Sequence, residues 1–129
     1  MDIHIKGSST SENYQTNIET RGLNLIVDEP LDKGGQDKGM TPMELIGAAL
    51  ASCTIITLQM YFNHKEWTYT TIHAEVDYNP TTFIFSRKII VNANLDEKQI
   101  SRIDRIANAC PVHKMLEKGH TIETIIEVV

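Results

Sequence analysis

Basic charge is in short supply. Twelve Lys and Arg residues stand against 17 Asp and Glu, a formal net charge of −5, so no basic face offers itself to a phosphate backbone and binding driven by counterion release has little to act on. Nucleic acid is not an expected partner. Neither a Walker A sequence nor a G-x-G-x-x-G fingerprint occurs, and Asp28-Glu29 and Gly34-Gly35 match no nucleotide-binding pattern. The opening Met1-Asp-Ile-His-Ile-Lys alternates apolar and polar residues and lacks the apolar stretch of a secretory signal, so a cytoplasmic location is expected. No internal repeat or low-complexity tract is present. With 41% hydrophobic and 22% charged residues in 129, the chain has the composition of one folded domain spanning 1–129.

Cysteine is scarce too: only Cys53 and Cys110 occur. In a reducing compartment such a pair is a poor permanent staple, which leaves inert core thiols or redox chemistry. Metal ligands are equally sparse. Cys110 with His113 is half of a zinc site without a second ligand pair, and His64, His73 and His120 are scattered, so no metal or cofactor is expected.

What is there reads as α+β. Ile3 and Ile5, then Tyr14 to Ile18, then Leu23 to Val27 suggest three amino-terminal strands. Residues 28–40, rich in Gly, Asp, Lys and Pro, form a loop that leads into Thr41-Pro42-Met43-Glu44, a helix start with Thr41 as cap, Pro42 in the first turn and Glu44 closing a capping box. That helix runs to about Asn63. Its segment Leu45 to Phe62 carries no charge and would reach roughly 27 Å, nearly a bilayer core. Ser52, Cys53, Thr54, Thr57 and Gln59 interrupt it, however, and the half-polar strands need something to pack on, so a buried central helix is expected and a membrane is not. A hairpin of Trp67–Tyr78 and Phe83–Val91 follows, turning at Asn79-Pro80. Asp96 caps a second helix whose apolar stripe Ile100, Ile103, Ile106 ends on Cys110; Pro111 to Gly119 gives a short third helix, and Thr121 to Val129 alternates as a last strand. The order is βββ-α-ββ-α-α-β, a sheet wrapped on a buried helix.

Locally, the two thiols differ. Cys53 sits well inside the first helix among Ala49, Leu50, Ile56 and Thr57, where a cysteine is ordinarily a small inert hydrophobe. Cys110 immediately precedes a helix with free N–H groups, with His113 and Lys114 in its first turn, and all three features favour thiolate. On local grounds Cys110 is the more reactive. The spacing permits a pairing of the two without requiring it.

The run Thr41-Pro-Met-Glu-Leu-Ile-Gly-Ala-Ala-Leu-Ala-Ser-Cys53, followed by Cys110-Pro-Val-His-Lys, resembles the paired signatures of the OsmC/Ohr family, and the element order agrees over almost the whole chain. The resemblance implies an intertwined homodimer with active sites at the subunit interface. It implies reduction of organic hydroperoxides, with an external dithiol as reductant, by Cys53 as the attacking thiol and Cys110 as its disulfide partner, which reverses the local ranking. It further implies an arginine from the amino-terminal strands, for which Arg21 is the candidate, and a glutamate at the start of the central helix. The glutamate position is occupied here by Met43, and Glu44 is the neighbouring carboxylate. Nine positions from Cys53, Glu44 lies about half a turn out of phase and roughly 13 Å away along the helix, so it would act only through Arg21 or a second subunit. A different class of function, a non-catalytic small-molecule-binding or structural dimer with an inert Cys53, stays open.

Overall fold

The computed structural model describes residues 2–129. The chain divides after Ala48 into two compact units. In the first, β1 (Lys6–Ser9), β2 (Thr16–Thr20) and β3 (Leu23–Val27) form an antiparallel meander in that order. Arg21 and Gly22, at φ 51° and 79°, form a two-residue β2–β3 turn with both central residues left-handed, the hairpin turn that matches strand twist. This turn also explains why β1 begins later than Ile3 and Ile5 suggest. Because β2 reverses at Arg21, its ladder with β1 ends at Lys6–Glu19, and only the Thr20 hydroxyl reaches back, donating to the His4 carbonyl at 2.9 Å.

The loop after β3 is organised around one carboxylate. Asp28 is buried and accepts backbone N–H bonds from Glu29 (2.7 Å), Gln36 (3.3 Å) and Lys38 (3.2 Å). Burial pushes its carboxyl up, but the three N–H donors and the Lys38 charge outweigh that and hold it below the ordinary value. Gly35 and Gly39 are required by the close return of the chain, since a Cβ there would run into the carbonyls of Glu29 and Ile26. The capping box forms: Thr41 N donates to Glu44 Oε1 at 2.9 Å and Glu44 N to Thr41 Oγ1 at 3.2 Å.

Helix α1 spans Pro42–Lys65, and the unit boundary falls within it. It is long and apolar enough to cross a membrane by length and composition alone. Its fully buried residues are Leu50, Thr54, Leu58 and Phe62, one stripe at a spacing of four. Within the single chain the expected burial is met along that stripe, while Ile56 and Met60 stay exposed. The helix ends in a Schellman turn: Glu66 takes φ 58°, its N–H donates to Asn63 O, and Trp67 N donates to Phe62 O at 2.9 Å. Trp67 packs edge-on against Phe62 and Tyr61 with centroids 5.2 and 5.4 Å away. The turn takes Trp67 out of the expected strand, so β4 begins at Thr71.

Strands β4 (Thr71–Asn79) and β5 (Ile84–Asn92) pair antiparallel over nine residues each. Asn79 Oδ1 accepts from Thr81 and Thr82 N–H to form the turn. Helix α2 (Glu97–Asn108) starts on Asp96 with a capping box to Gln99, and α3 (Pro111–Glu117) starts on Cys110. The last expected element is absent: residues 121–129 form no ladder among the described residues. Ile122, Ile125, Ile126 and Val128 are all more than 80% exposed, so the strand pattern is not satisfied by pairing among the described residues.

Candidate active site

All groups of the site described next lie in the second unit. Cys53 projects from α1 one position before the buried stripe and is half-buried, with Sγ 3.9 Å from Thr57 Oγ1. Cys110 is fully buried at the corner between α2 and α3, where the first turn of α3 leaves amides unbonded; His113 N donates to its Sγ at 3.5 Å. Although 57 positions separate them in sequence (110 minus 53), the two thiols are neighbours, near enough for each to shift the other's titration. Both are free thiols.

The two thiols differ in acidity. Burial pushes the Cys53 thiol up, and the neighbouring Cys110 pushes it further, against weaker opposition from the Val112 amide and Thr57. Burial acts the same way on Cys110, but the neighbouring Cys53 thiol and the amides of His113 and Val112 together bring it below the ordinary thiol value. Of the two, Cys110 is therefore the more acidic thiol and Cys53 the less.

Beside the thiols stands Arg87, which sequence reasoning missed. It projects from β5 on the inward register with Phe85 and Ile89. Its Nη1 donates to Thr54 Oγ1 (3.1 Å) and Ala107 O (3.4 Å), and its Nη2 to Asn108 Oδ1 (3.2 Å). The available signal was the alternation of β5, which places a guanidinium where an apolar residue belongs. A cavity of about 340 Å³ next to the site is lined by Leu50, Phe83, Phe85, Arg87, His113 and Leu116. Glu117 also borders it and pairs with His113 at 3.1 Å.

The other sequence candidates lie in the first unit. Arg21 is exposed at the tip of the β2–β3 hairpin, and the Glu44 carboxylate is engaged in the α1 capping box. Met43, at the position where the resemblance calls for glutamate, is exposed. Among the described residues no group of three His, Cys, Asp or Glu side chains is arranged to hold a metal ion.

Most of the sequence matches a known family. The model for OsmC-like protein matches residues 35–125. The chain belongs to the OsmC-like family. Solved structures agree over most of its length. An OsmC-like protein from Mycoplasma pneumoniae has a TM-score of 0.71 at 20% identity, covering 91% of this chain and 88% of that one. A candidate osmotic stress induced and detoxification response protein from Psychrobacter arcticus has a TM-score of 0.74 at 23% identity, covering 86% and 85%. An organic hydroperoxide resistance protein from Legionella pneumophila has a TM-score of 0.61 at 18% identity, covering 90% and 89%. At these identities the likeness is one of fold. No curated protein matches the sequence.

Proposed function

We propose that this OsmC-like chain is a cytoplasmic thiol peroxidase that reduces organic hydroperoxides through Cys53 and Cys110. The observation that carries the reading is the neighbouring pair of free thiols, one half-buried and one buried, beside a cavity with an apolar side of Leu50, Phe83, Phe85 and Leu116. In the reaction, Cys53 passes its proton to Cys110 and its sulfur attacks the peroxide oxygen. The O–O bond breaks, Cys53 becomes a sulfenic acid, and the proton held by Cys110 goes to the leaving alkoxide, which departs as alcohol. Cys110, again a thiolate, then attacks the Cys53 sulfur, the S–S bond forms, the S–O bond breaks, and hydroxide leaves, taking a proton from solvent to become water. An external dithiol reopens the disulfide through the accessible Cys53 sulfur.

The lining of Leu50, Phe83, Phe85 and Leu116 favours an alkyl or acyl group over a bare hydrogen peroxide. Relatives named for organic hydroperoxide resistance from Legionella pneumophila and Elizabethkingia anophelis support the same substrate class. In this reading Arg21 holds the Cys53 thiolate and polarises the peroxide, while Glu44 remains a helix cap. A homodimer completes the molecule. The exposed Ile56 and Met60 of α1 and the unpaired segment 121–129 are apolar surface that a second copy would cover.

The test is a free-thiol count on reduced protein before and after one equivalent of cumene hydroperoxide, with hydrogen peroxide in parallel. Rapid loss of both thiols, faster with the organic peroxide, is expected. In Cys110→Ser the Cys53 sulfenic acid should accumulate and give a dimedone adduct, and in Cys53→Ser peroxide consumption should stop. A second reading, a binding or structural dimer, draws on the raised Cys53 thiol and on Met43 at the glutamate position. Retention of both thiols under either peroxide would put it first.

A further inference from the structure

Arg87 carries a charge that the peroxidase reading does not use. An arginine on the inward register of a strand must offset its desolvation by hydrogen bonds and by an opposite charge. The bonds are present, but every acceptor is neutral: the Thr54 hydroxyl, the Ala107 carbonyl and the Asn108 side-chain amide. Among the described residues the ion pairs are His73–Glu75 and His113–Glu117, neither of which includes Arg87. Asp104 of α2 borders a second cavity on which Arg87 also opens, without reaching ion-pair distance. His113 and Glu117 of α3 face Arg87 across the cavity beside the thiols and are paired to each other.

The three acceptors occupy telling positions. Thr54 follows Cys53 directly, and Asn108 precedes Cys110 by two residues, so one guanidinium grips the α1 turn that carries the first thiol and the end of α2 that delivers the second. The Thr54 hydroxyl itself faces Cys110 Sγ. A planar fork with donors in fixed directions suits this task in a way that a lysine ammonium does not.

We propose that Arg87 is a positioning residue of the thiol pair: through Thr54 and Asn108 it fixes the approach of Cys110 to Cys53, and its charge is held at the end of α2, on Ala107 and Asn108, three and two residues before Cys110. The inference rests on the reading of Cys53 and Cys110 as a redox pair, but not on peroxide as its oxidant. Misplacement by about 1 Å can slow an intramolecular reaction on the order of 100-fold. Loss of a nearby opposite charge raises the pKa of the group it stabilised.

Two measurements on the full chain test it. In the first, oxidised glutathione loads Cys53 as a mixed disulfide, and Cys110 thiolate then attacks the Cys53 sulfur and releases glutathione thiolate; closure is timed by mass spectrometry. Arg87→Met should slow closure by about tenfold or more, and Arg87→Lys, which keeps charge without the fork, should fall between Met and wild type. In the second, Cys53→Ser leaves Cys110 as the sole thiol, and its thiolate absorbance at 240 nm is titrated with and without Arg87→Met. An upward shift that Arg87→Lys largely restores is expected, which a neutral structural clamp would not produce. Wild-type closure rate together with an unmoved titration in Arg87→Met overturns the proposal. If Arg87→Met does not fold, Arg87→Lys and Thr54→Val decide, and closure in both at the wild-type rate overturns it. Normal closure of wild type by glutathione with no consumption of cumene hydroperoxide would sink the peroxidase reading while leaving this one standing.

Discussion

Oxidation of the thiol pair should stabilise the second unit strongly, and the size of the effect follows from chain connectivity. Joining Cys53 to Cys110 closes a loop of about 57 residues, which removes about 4 kcal/mol of conformational freedom from the unfolded chain at 25 °C. Because the thiols are already neighbours in the reduced protein, little native-state distortion should offset that gain. For a chain of this size the melting temperature should rise on the order of 15 °C. By linkage, the same 4 kcal/mol lowers the reduction potential by about 90 mV relative to an unconstrained dithiol. The assay is urea unfolding of protein oxidised with glutathione disulfide against protein held reduced by a phosphine. Trp67, the sole tryptophan, lies in the same unit as both cysteines and reports its unfolding by fluorescence. Cys110→Ser should show no difference between the two conditions. Equal stability of oxidised and reduced wild type, with the disulfide verified by mass, would mean that bond formation strains the native state by about as much as it gains. The argument from neighbouring thiols would then be wrong.

Other substitutions probe the supports of the site. Phe62→Ala removes a fully buried ring that packs edge-on with Trp67 and with Tyr69 at 5.6 Å; a loss of about 3–5 kcal/mol in urea unfolding is expected, and a loss below about 1 kcal/mol would show that the cluster contributes little. Thr54→Val leaves Arg87 Nη1 with only the 3.4 Å bond to Ala107, so a loss of about 1–3 kcal/mol is expected in the same assay. Glu44→Gln keeps an oxygen to accept from Thr41 N and removes the charge, so helix stability and peroxide turnover should both be unchanged; a fall in turnover at unchanged melting would assign the carboxylate a chemical role. Asp28 has its carboxyl held low by three N–H donors, so its contribution is complete above the ordinary value of 3.8. It declines as pH falls below that value and is gone once pH passes the lower folded one. Hydrogen-exchange protection of the amides of Glu29, Gln36 and Lys38, taken relative to the unstructured rate at the same pH, should therefore fall in acid, and Asp28→Asn should show that loss of protection already at neutral pH.

Much of this arrangement was legible in residue order. The capping signals at Thr41 and Asp96, the Pro111 start of α3 and the run Leu23–Val27 are local chemistry, and local chemistry is what a sequence displays. β4 starts later than the pattern suggests because nothing in Trp67 itself says whether it extends a strand or closes a Schellman turn; the left-handed Glu66 decides that, and glutamate, unlike glycine or asparagine, gives no sign of such a conformation. β1 was displaced because its register depends on where β2 turns. The nearness of Cys53 and Cys110 depends on how α2 returns to α1, which no spacing reveals. Arg87 lay within reach of inspection, since an arginine among Phe85, Ile89 and Val91 breaks the strand pattern, and such breaks mark sites where local and global demands conflict.

The same reasoning applies to the last nine residues, where the pattern and the structure disagree. Thr121 to Val129 alternates like a strand, yet it has no ladder within the described chain, and Ile122, Ile126 and Val128, which would share one strand face, are 88, 83 and 93% exposed. Burying three such side chains would stabilise an assembly by roughly 5–9 kcal/mol at 1.5–3 each, comparable with the lower part of the range of about 4–15 kcal/mol that association costs. The segment alone is therefore a marginal contact, and it becomes a strong one if the exposed side of α1, with Ile56 and Met60, is buried in the same event. On that argument the two surfaces depend on each other. Truncation after Gly119 and the separate change Met60→Glu should each lower the dimer fraction measured by sedimentation equilibrium at micromolar protein, with the second unit still folded by Trp67 fluorescence. A truncated chain as dimeric as the full one would remove the carboxy-terminal segment from the interface, and a full-length chain that is monomeric at every concentration would remove the interface itself.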